Sequence, residues 1–212
     1  MVVTSIEPQK KNSERYNIFI DGKFAFGLIM EDILYFKIKE DNEISEGKYY
    51  YIKDTVLYIK AQNIALNYLG YKMRTEKEVR KKLFEKEYDE EIIDKVIEFL
   101  KNYNYVDDFK YAQSYINEVQ NLNPKGSYAI KQKLKEKGIS DIIIADVLDD
   151  CDLDEEEGAQ TLLCKKLGER REVSFKEKKK LHDFLLRRGY SYGIIKKAFE
   201  SLEIKLEEMA DD

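Results

Sequence analysis

Apolar residues recur along this chain in a pattern that repeats about every 51 positions, and this repeat predicts the architecture. Leu83, Leu134 and Leu185 mark one position of the repeat. Around each of them, apolar residues fall three or four positions apart, which is the spacing of one buried helix face. The pattern therefore predicts a unit of three helices that occurs three times.

Polar residues between the predicted helices recur in the same register. Asp89, Ser140 and Ser191 share one position, and each side chain can accept a hydrogen bond from a free backbone N–H at the start of a helix. The segments Thr75–Glu78 and Ser174–Glu177 have the spacing of a capping box. These residues predict where several of the second and third helices begin.

The N-terminal part of the chain has the pattern of strands instead. Three strands are predicted, at Val2–Glu7, Tyr16–Ile20 and Lys23–Leu28. Asp21-Gly22 indicates a hairpin turn, because both central positions of a type I′ turn need positive φ. Helical spacing follows at 29–36 and at about 45–69. Since three strands alone bury little surface, this sheet must pack on a helix or on a partner.

The pattern also predicts how the chain is divided. The expected fold is mainly α, a tandem array of three three-helix repeats with a small N-terminal β-hairpin or three-strand extension. The predicted parts are an N-terminal unit at 1–58, repeats at 59–108, 109–154 and 155–206, and an acidic tail at 207–212.

Charged residues make up 37% of the 212 residues, and the net charge of −5 argues against a protein that binds nucleic acid through its total charge. The charge is unevenly distributed. Residues 140–157 are rich in Asp and Glu and contain no Lys or Arg, whereas Lys and Arg are in excess over 158–200. Because local potential steers a partner more than net charge does, an acidic total is compatible with a basic surface.

The sequence contains no set of residues typical of a catalytic, nucleotide or metal site. His182 is the only histidine, and Cys151 and Cys164 are too few and too far apart for a metal or redox motif. Residues 150–154 resemble the start of a calcium loop, but the glycine and the final glutamate of such a loop are missing. The carboxylates at 107–108 are interpreted as helix caps. We therefore expect no enzyme activity, cofactor or metal.

The sequence also indicates where the protein acts. Its N-terminus has no apolar signal segment, and its longest aliphatic runs are too short to cross a bilayer. We therefore predict a cytoplasmic protein without a membrane partner.

Lysines and arginines cluster around the second helix of each predicted repeat. A single run is explained by a solvated helix face, but the same helix is basic in all three repeats. Stacked repeats would align these helices on one curved surface, where they could contact phosphates without reading bases. The candidate contact residues are Lys72, Arg74, Lys81, Lys82, Lys131, Lys133, Lys135, Lys137, Lys178, Lys179, Arg187 and Arg188.

Several short motifs follow one another in a specific order and spacing. They are Ala65–Leu69, Glu78–Leu83, Tyr105–Phe109 with Ala112, Lys125-Gly126, Ile130, Leu134, Lys137–Ile139 and Phe184–Tyr190. Through these motifs the three-repeat region resembles the RecX family of bacterial regulatory proteins, which modulate the recombinase RecA. The segment Asp21–Leu28 looks like an extension found in some members. In the first repeat, Asn104 and Glu87 stand where glycine would be expected.

The resemblance implies a helical-repeat regulator in homologous recombination, DNA repair and the SOS response. Such a protein binds the filament of RecA on single-stranded DNA and inhibits its ATPase, recombinase and coprotease activities. The implied partners are the RecA filament and single-stranded DNA within it, which the candidate contact residues would bind, and we predict a monomer. The sequence leaves open whether this member inhibits or stimulates, and whether it caps filament ends or lies in the groove.

Two other functions stay open. A stand-alone helical DNA-binding module would bind DNA without RecA and with a steep dependence on salt. A non-catalytic protein-interaction scaffold would neither bind DNA nor affect RecA.

Overall fold

The computed structural model describes residues 1–9, 14–151 and 153–206, and it consists of two compact units, Met1–Asp107 and Asp108–Asp212. The first unit contains the N-terminal sheet and the first three-helix repeat, and the second contains the other two repeats. The predicted mainly helical fold with three three-helix repeats and a small sheet is confirmed. The predicted acidic tail at 207–212 lies outside the described residues.

The first unit begins with an antiparallel sheet in the order β1-β2-β3. Asp21 and Gly22, in the turn between β2 and β3, have φ values of 49° and 78°, as the predicted type I′ turn requires. The helical run predicted at 45–69 contains a π-helical segment at Ile52–Leu57. The other elements are β1 (Val3–Pro8), β2 (Arg15–Ile20), β3 (Lys23–Ile29), α1 (Met30–Tyr35), α2 (Glu46–Tyr51), α3 (Tyr58–Leu69), α4 (Glu76–Glu85) and α5 (Glu90–Asn102).

Arg15 of β2 connects the sheet to the first repeat. Its side chain is 9% exposed and donates hydrogen bonds to the carbonyl oxygens of Lys86, at 2.8 Å, and Gly27, at 3.0 Å. The guanidinium also lies 5.1 Å from the centre of the Tyr88 ring. The sheet and the first repeat share one hydrophobic core, so the prediction that the sheet packs on a helix is confirmed.

The predicted helix starts are formed as capped N-termini. The side chains of Asp89, Ser140 and Ser191 each accept a hydrogen bond from the backbone N–H three residues later. Thr75 and Glu78 form the complete capping box at the start of α4. These bonds satisfy N–H groups that have no partner inside their own helix.

The turn between the second and third helix has the same geometry in each repeat. Glu87, Gly138 and Gly189 lie in the left-handed region, with φ values of 60°, 88° and 86°. In each turn the next residue donates its N–H to the carbonyl of the leucine five positions earlier, at 3.1 to 3.3 Å. This bond defines a Schellman motif, which favours glycine at the left-handed position. Glu87 takes the same conformation with a side chain.

The second unit contains two repeats and a short parallel ladder near its end. Each repeat has its own buried apolar cluster. The elements are α6 (Asp108–Leu122), α7 (Ser127–Glu136), α8 (Asp141–Asp150), α9 (Glu155–Leu167), β4 (Glu172–Val173), α10 (Phe175–Arg187), α11 (Tyr192–Ser201) and β5 (Lys205–Leu206).

A close backbone contact joins the two repeats of the second unit. The N–H of Gly126 donates to the carbonyl oxygen of Arg188 at 3.0 Å. A Cβ atom on Gly126 would lie 2.2 Å from the carbonyl oxygen of Gly189, and one on Gly189 would lie 2.4 Å from the backbone nitrogen of Ala129. Both positions therefore require glycine.

Candidate functional site

The predicted contact residues lie on the second helices and at their ends, as their sequence positions imply. The first unit holds one group around α4, and the second unit holds the groups on α7 and α10. Lys72 and Arg74 precede α4, Lys137 is the C-cap residue of α7, and Arg188 is the C-cap residue of α10. Their role in binding stays a prediction, but the surroundings of all of them except Lys137 separate them into three kinds.

The first kind is compensated by a carboxylate. Lys133 is 2.9 Å from Glu136, and Lys135 is 2.6 Å from Asp141. Lys81 is 3.9 Å from Glu85. Because each positive charge has a negative neighbour, these lysines contribute little net potential to the surface.

The second kind is exposed and has no ion pair among the described residues. It includes Lys72, Lys131, Lys179 and Arg187. Lys179 and Arg187 both lie on α10. These side chains are free to reach an external anion.

The third kind lies against an aromatic ring. The guanidinium carbon of Arg74 is 4.2 Å from the centre of the Tyr68 ring, and Nζ of Lys82 is 5.5 Å from the same centre. In the third repeat, the guanidinium carbon of Arg188 is 5.1 Å from the centre of the Phe184 ring. Lys178 lies 5.6 Å from the Phe199 ring. Such contacts orient a cation without neutralising it.

Lys166 belongs to the basic residues of the third repeat but is not one of the twelve candidate contact residues. It lies on α9, the first helix of the third repeat, and its Nζ is 4.5 Å from the centre of the Phe184 ring. The rings of Tyr68 and Phe184 were missed. The signal available in the sequence was positional, since Tyr68 and Lys166 each stand one helical turn after a buried residue of the first helix.

A depression of about 390 Å³ lies beside Phe184. Its lining includes one carboxylate, Glu177, which accepts a hydrogen bond from Arg170 at 2.9 Å. The other lining residues are Lys166, Lys180, Leu181, Phe184 and Arg187. Three cations therefore border a depression whose carboxylate already has a partner.

Other basic residues of the first unit belong to structural ion-pair networks. Arg80 contacts Glu76 at 2.7 Å and Asp94 at 2.6 Å, and Lys101 contacts Glu76 at 2.5 Å. Burial raises the pKa of Glu76, but the hydrogen bonds from Lys101 and Arg80 outweigh it and bring the pKa below its usual value. Arg80 and Lys101 therefore form ion pairs that stabilise the fold.

A second network links the π-helical segment to α5. Hydrogen bonds from Lys53, at 2.5 Å, and from Lys95, at 2.9 Å, lower the pKa of Glu91 to about 2. Lys95 also contacts Asp54 at 2.9 Å. This network stabilises the junction of the first unit and leaves no free charge for a ligand.

The structure shows no arrangement of catalytic groups around His182 among the residues it describes. The ring packs against Tyr192 at 5.0 Å between centres, and Nδ1 is 3.9 Å from a carboxylate oxygen of Asp183. Across the described part of the chain, no cluster of three or more His, Cys, Asp or Glu side chains could hold a metal ion. Cys151 and Cys164 are free thiols.

No helix within residues 1–9, 14–151 and 153–206 combines the length and the apolar character needed to cross a membrane.

Fold and surface together define a tandem three-helix-repeat protein whose basic side chains are only partly compensated. Family models match the chain in four places: the regulatory protein RecX N-terminal domain at 1–45, and the RecX first, second and third three-helix domains at 61–100, 107–148 and 154–199.

Individual RecX proteins are also similar to this chain. The chain is 40% identical to regulatory protein RecX of Clostridioides difficile (strain 630), covering 95% of each chain, and 37% identical to that of Clostridium botulinum (strain Eklund 17B / Type B), covering 92% of each. A crystal structure of regulatory protein RecX matches with a TM-score of 0.63 and 31% identity, over 94% of this chain and 98% of that one.

A second crystal structure, of RecX from Lactobacillus salivarius, matches with a TM-score of 0.61 and 34% identity, over 69% of this chain and 96% of that one. The chain therefore belongs to the RecX family, whose named members are regulatory proteins.

Proposed function

We propose that this protein regulates RecA by binding the filament that RecA forms on single-stranded DNA, and that it inhibits the ATPase, recombinase and coprotease activities of that filament. Membership of the RecX family supports the regulatory role. The resemblance of the sequence motifs supports RecA as the target. The protein would act in the cytoplasm as a monomer without a cofactor, within DNA repair, recombination and the SOS response.

The observation that carries the proposed mode of binding is the uncompensated charge on α10. Lys179 and Arg187 are exposed and have no ion pair among the described residues, whereas α7 has carboxylates beside Lys133 and Lys135. A phosphate backbone or an acidic protein surface would supply the missing negative charge. The third repeat therefore contributes more to binding than the second.

The test is the single-stranded-DNA-dependent ATPase activity of the cognate RecA, titrated with this protein. Wild-type protein is expected to inhibit it, and K179E/R187E is expected to inhibit much less because both reversals place negative charge on the binding face. K196E/K197E is the matched control, since it makes the same change in net charge on α11. Equal inhibition by wild type and K179E/R187E would contradict the proposed face, and no effect of wild type would contradict the function.

A stand-alone DNA-binding module is the second candidate, because uncompensated cations suit DNA without RecA as well. It predicts tight, salt-sensitive DNA binding together with an unchanged ATPase. An interaction scaffold predicts no DNA binding and no change in the ATPase.

A further inference from the structure

Two aromatic rings in this protein each hold a pair of cations. Tyr68 has Arg74 and Lys82 within 5.5 Å of its centre, and Phe184 has Lys166 and Arg188 within 5.1 Å of its centre. A ring face attracts a cation through its quadrupole, and the attraction increases as water is removed. One ring, however, offsets only part of the repulsion between two positive charges beside it.

The ring and one lysine of each cluster occupy matching positions in their repeats, with ring and lysine exchanged, whereas Arg74 precedes its second helix and Arg188 ends its own. Tyr68 and Lys166 each follow a buried first-helix residue, Ala65 or Leu163, by one turn. Lys82 and Phe184 each directly precede a buried second-helix leucine, Leu83 or Leu185. The first repeat therefore has its ring on the first helix, whereas the third has its ring on the second. The second repeat has Val119 and Lys133 in these positions and no ring.

The clustered cations differ from the other basic residues in lacking carboxylate partners. Within the described residues, Lys82 and Lys166 make no ion pair, and Arg188 bonds only to the neutral amide oxygen of Asn123 and packs on Phe184. By contrast, Arg80, Lys95, Lys101 and Lys135 each lie within 3 Å of a carboxylate oxygen.

Arg74 is the one clustered cation with a carboxylate nearby, but its contact with that carboxylate is long. Its nearest carboxylate oxygen, on Glu78, is 3.9 Å away, and the other Glu78 oxygen accepts the N–H of Thr75 in the capping box. The Arg74 side chain is only 17% exposed, and its Nε is buried with no hydrogen-bond partner among the described residues. A buried donor of this kind is costly unless a ligand or water satisfies it.

We infer that each cluster is a binding site for one phosphate group, and that each site takes a phosphate of a single-stranded nucleic-acid backbone. A phosphate has several acceptor oxygens, and its bonds to the cations of a cluster would supply the negative charge that the ring does not. The depression of about 390 Å³ beside Phe184, bordered by Lys166, Lys180 and Arg187, gives the second site room for a ligand. The inference refines the proposed function and takes its biological setting from it, but its test needs no RecA.

The test measures binding to a fluorescein-labelled oligothymidylate by anisotropy, without RecA, at a series of salt concentrations. On single strands each neutralised phosphate contributes about 0.7 to the slope of log K against log salt. We expect R74Q/K82Q and K166Q/R188Q each to lower the slope by about 0.7, and to weaken binding about tenfold at low salt. K196Q/K197Q, which removes the same charge from α11, should keep the wild-type slope.

A second variant separates orientation from charge. F184L keeps both cations but removes the ring that orients them, so we expect weaker binding with an unchanged salt slope. Far-UV circular dichroism checks that each variant retains wild-type helicity. A wild-type slope in both double variants, or an equal loss in K196Q/K197Q, would overturn the inference, as would the absence of oligothymidylate binding by wild type at low salt.

The RecA ATPase assay on the same proteins keeps the two proposals apart. ATPase inhibition without oligothymidylate binding would leave the regulatory function standing and remove the phosphate sites. Salt-sensitive binding through the two clusters without any effect on the ATPase would support the phosphate sites and contradict the regulatory function.

Discussion

Replacing Gly189 with alanine tests the contact between the second and third repeats. The substitution forces an alanine into a left-handed conformation, which costs about 1 kcal/mol. It also places a Cβ atom 2.4 Å from the backbone nitrogen of Ala129 and 2.5 Å from its Cβ, so the start of α7 must move away. Overpacking of this kind costs about 1–3 kcal/mol, and the bond from Gly126 to Arg188, worth about 1 kcal/mol, is lost.

The free energy of unfolding should therefore fall by about 3–5 kcal/mol, a large fraction of the stability of a typical domain. Denaturation followed by circular dichroism measures the loss. G22A is the matched control, because Gly22 also has positive φ but a Cβ atom added to it would have no neighbour within 4 Å. It should lose only about 1 kcal/mol. Equal losses in G189A and G22A would show that the close backbone approach carries no energy and would refute the reasoning.

Three further predictions concern the first unit. E87G should stabilise the protein by about 1 kcal/mol, measured by denaturation, because a left-handed glutamate is replaced by the residue that favours this conformation. The depressed pKa of Glu91 means that its ion pairs stabilise the fold above pH 4.5 and that this contribution is lost as pH falls towards about 2. E91Q should cost at most about 1 kcal/mol at pH 7 and much less at pH 2, near the depressed pKa of Glu91, as melts at both pH values would show. R15M should cost about 3 kcal/mol, because it removes the buried hydrogen bond to the Gly27 carbonyl, the partly buried one to the Lys86 carbonyl and the contact with the Tyr88 ring; an unchanged denaturation midpoint would contradict this.

The sequence predicted those parts of the fold that depend on local spacing. Helical periodicity identified the repeats, and a single side chain at Asp89, Ser140 or Ser191 was enough to predict a helix start. Contacts between residues far apart in the sequence could not be predicted in this way. Nothing near Arg15 indicates that it bonds to the carbonyl of Lys86, 71 residues away, because that contact exists only once the sheet has packed. The composition of the π-helical segment likewise does not distinguish it from an α-helix.

The candidate site could be predicted only where it depends on local spacing. Lysine and arginine positions are visible in the sequence, and so is the spacing of the pair Lys133–Glu136 on one helix face. Whether a cation rests on a ring depends on which helices pack together. The contact of Lys166 on α9 with Phe184 on α10 therefore required the structure. Charge alone could not rank the twelve candidates.

The glycine contact between Gly126 and Gly189 also has a mechanical consequence. Repeat proteins in general can lose terminal repeats one at a time, because each repeat contacts only its neighbours through side chains. Here a backbone-to-backbone bond and a contact too close for any side chain connect two repeats directly. Under a pulling force applied across the second unit, its two repeats should therefore extend in one step rather than two, with the glycine contact as the point that yields first.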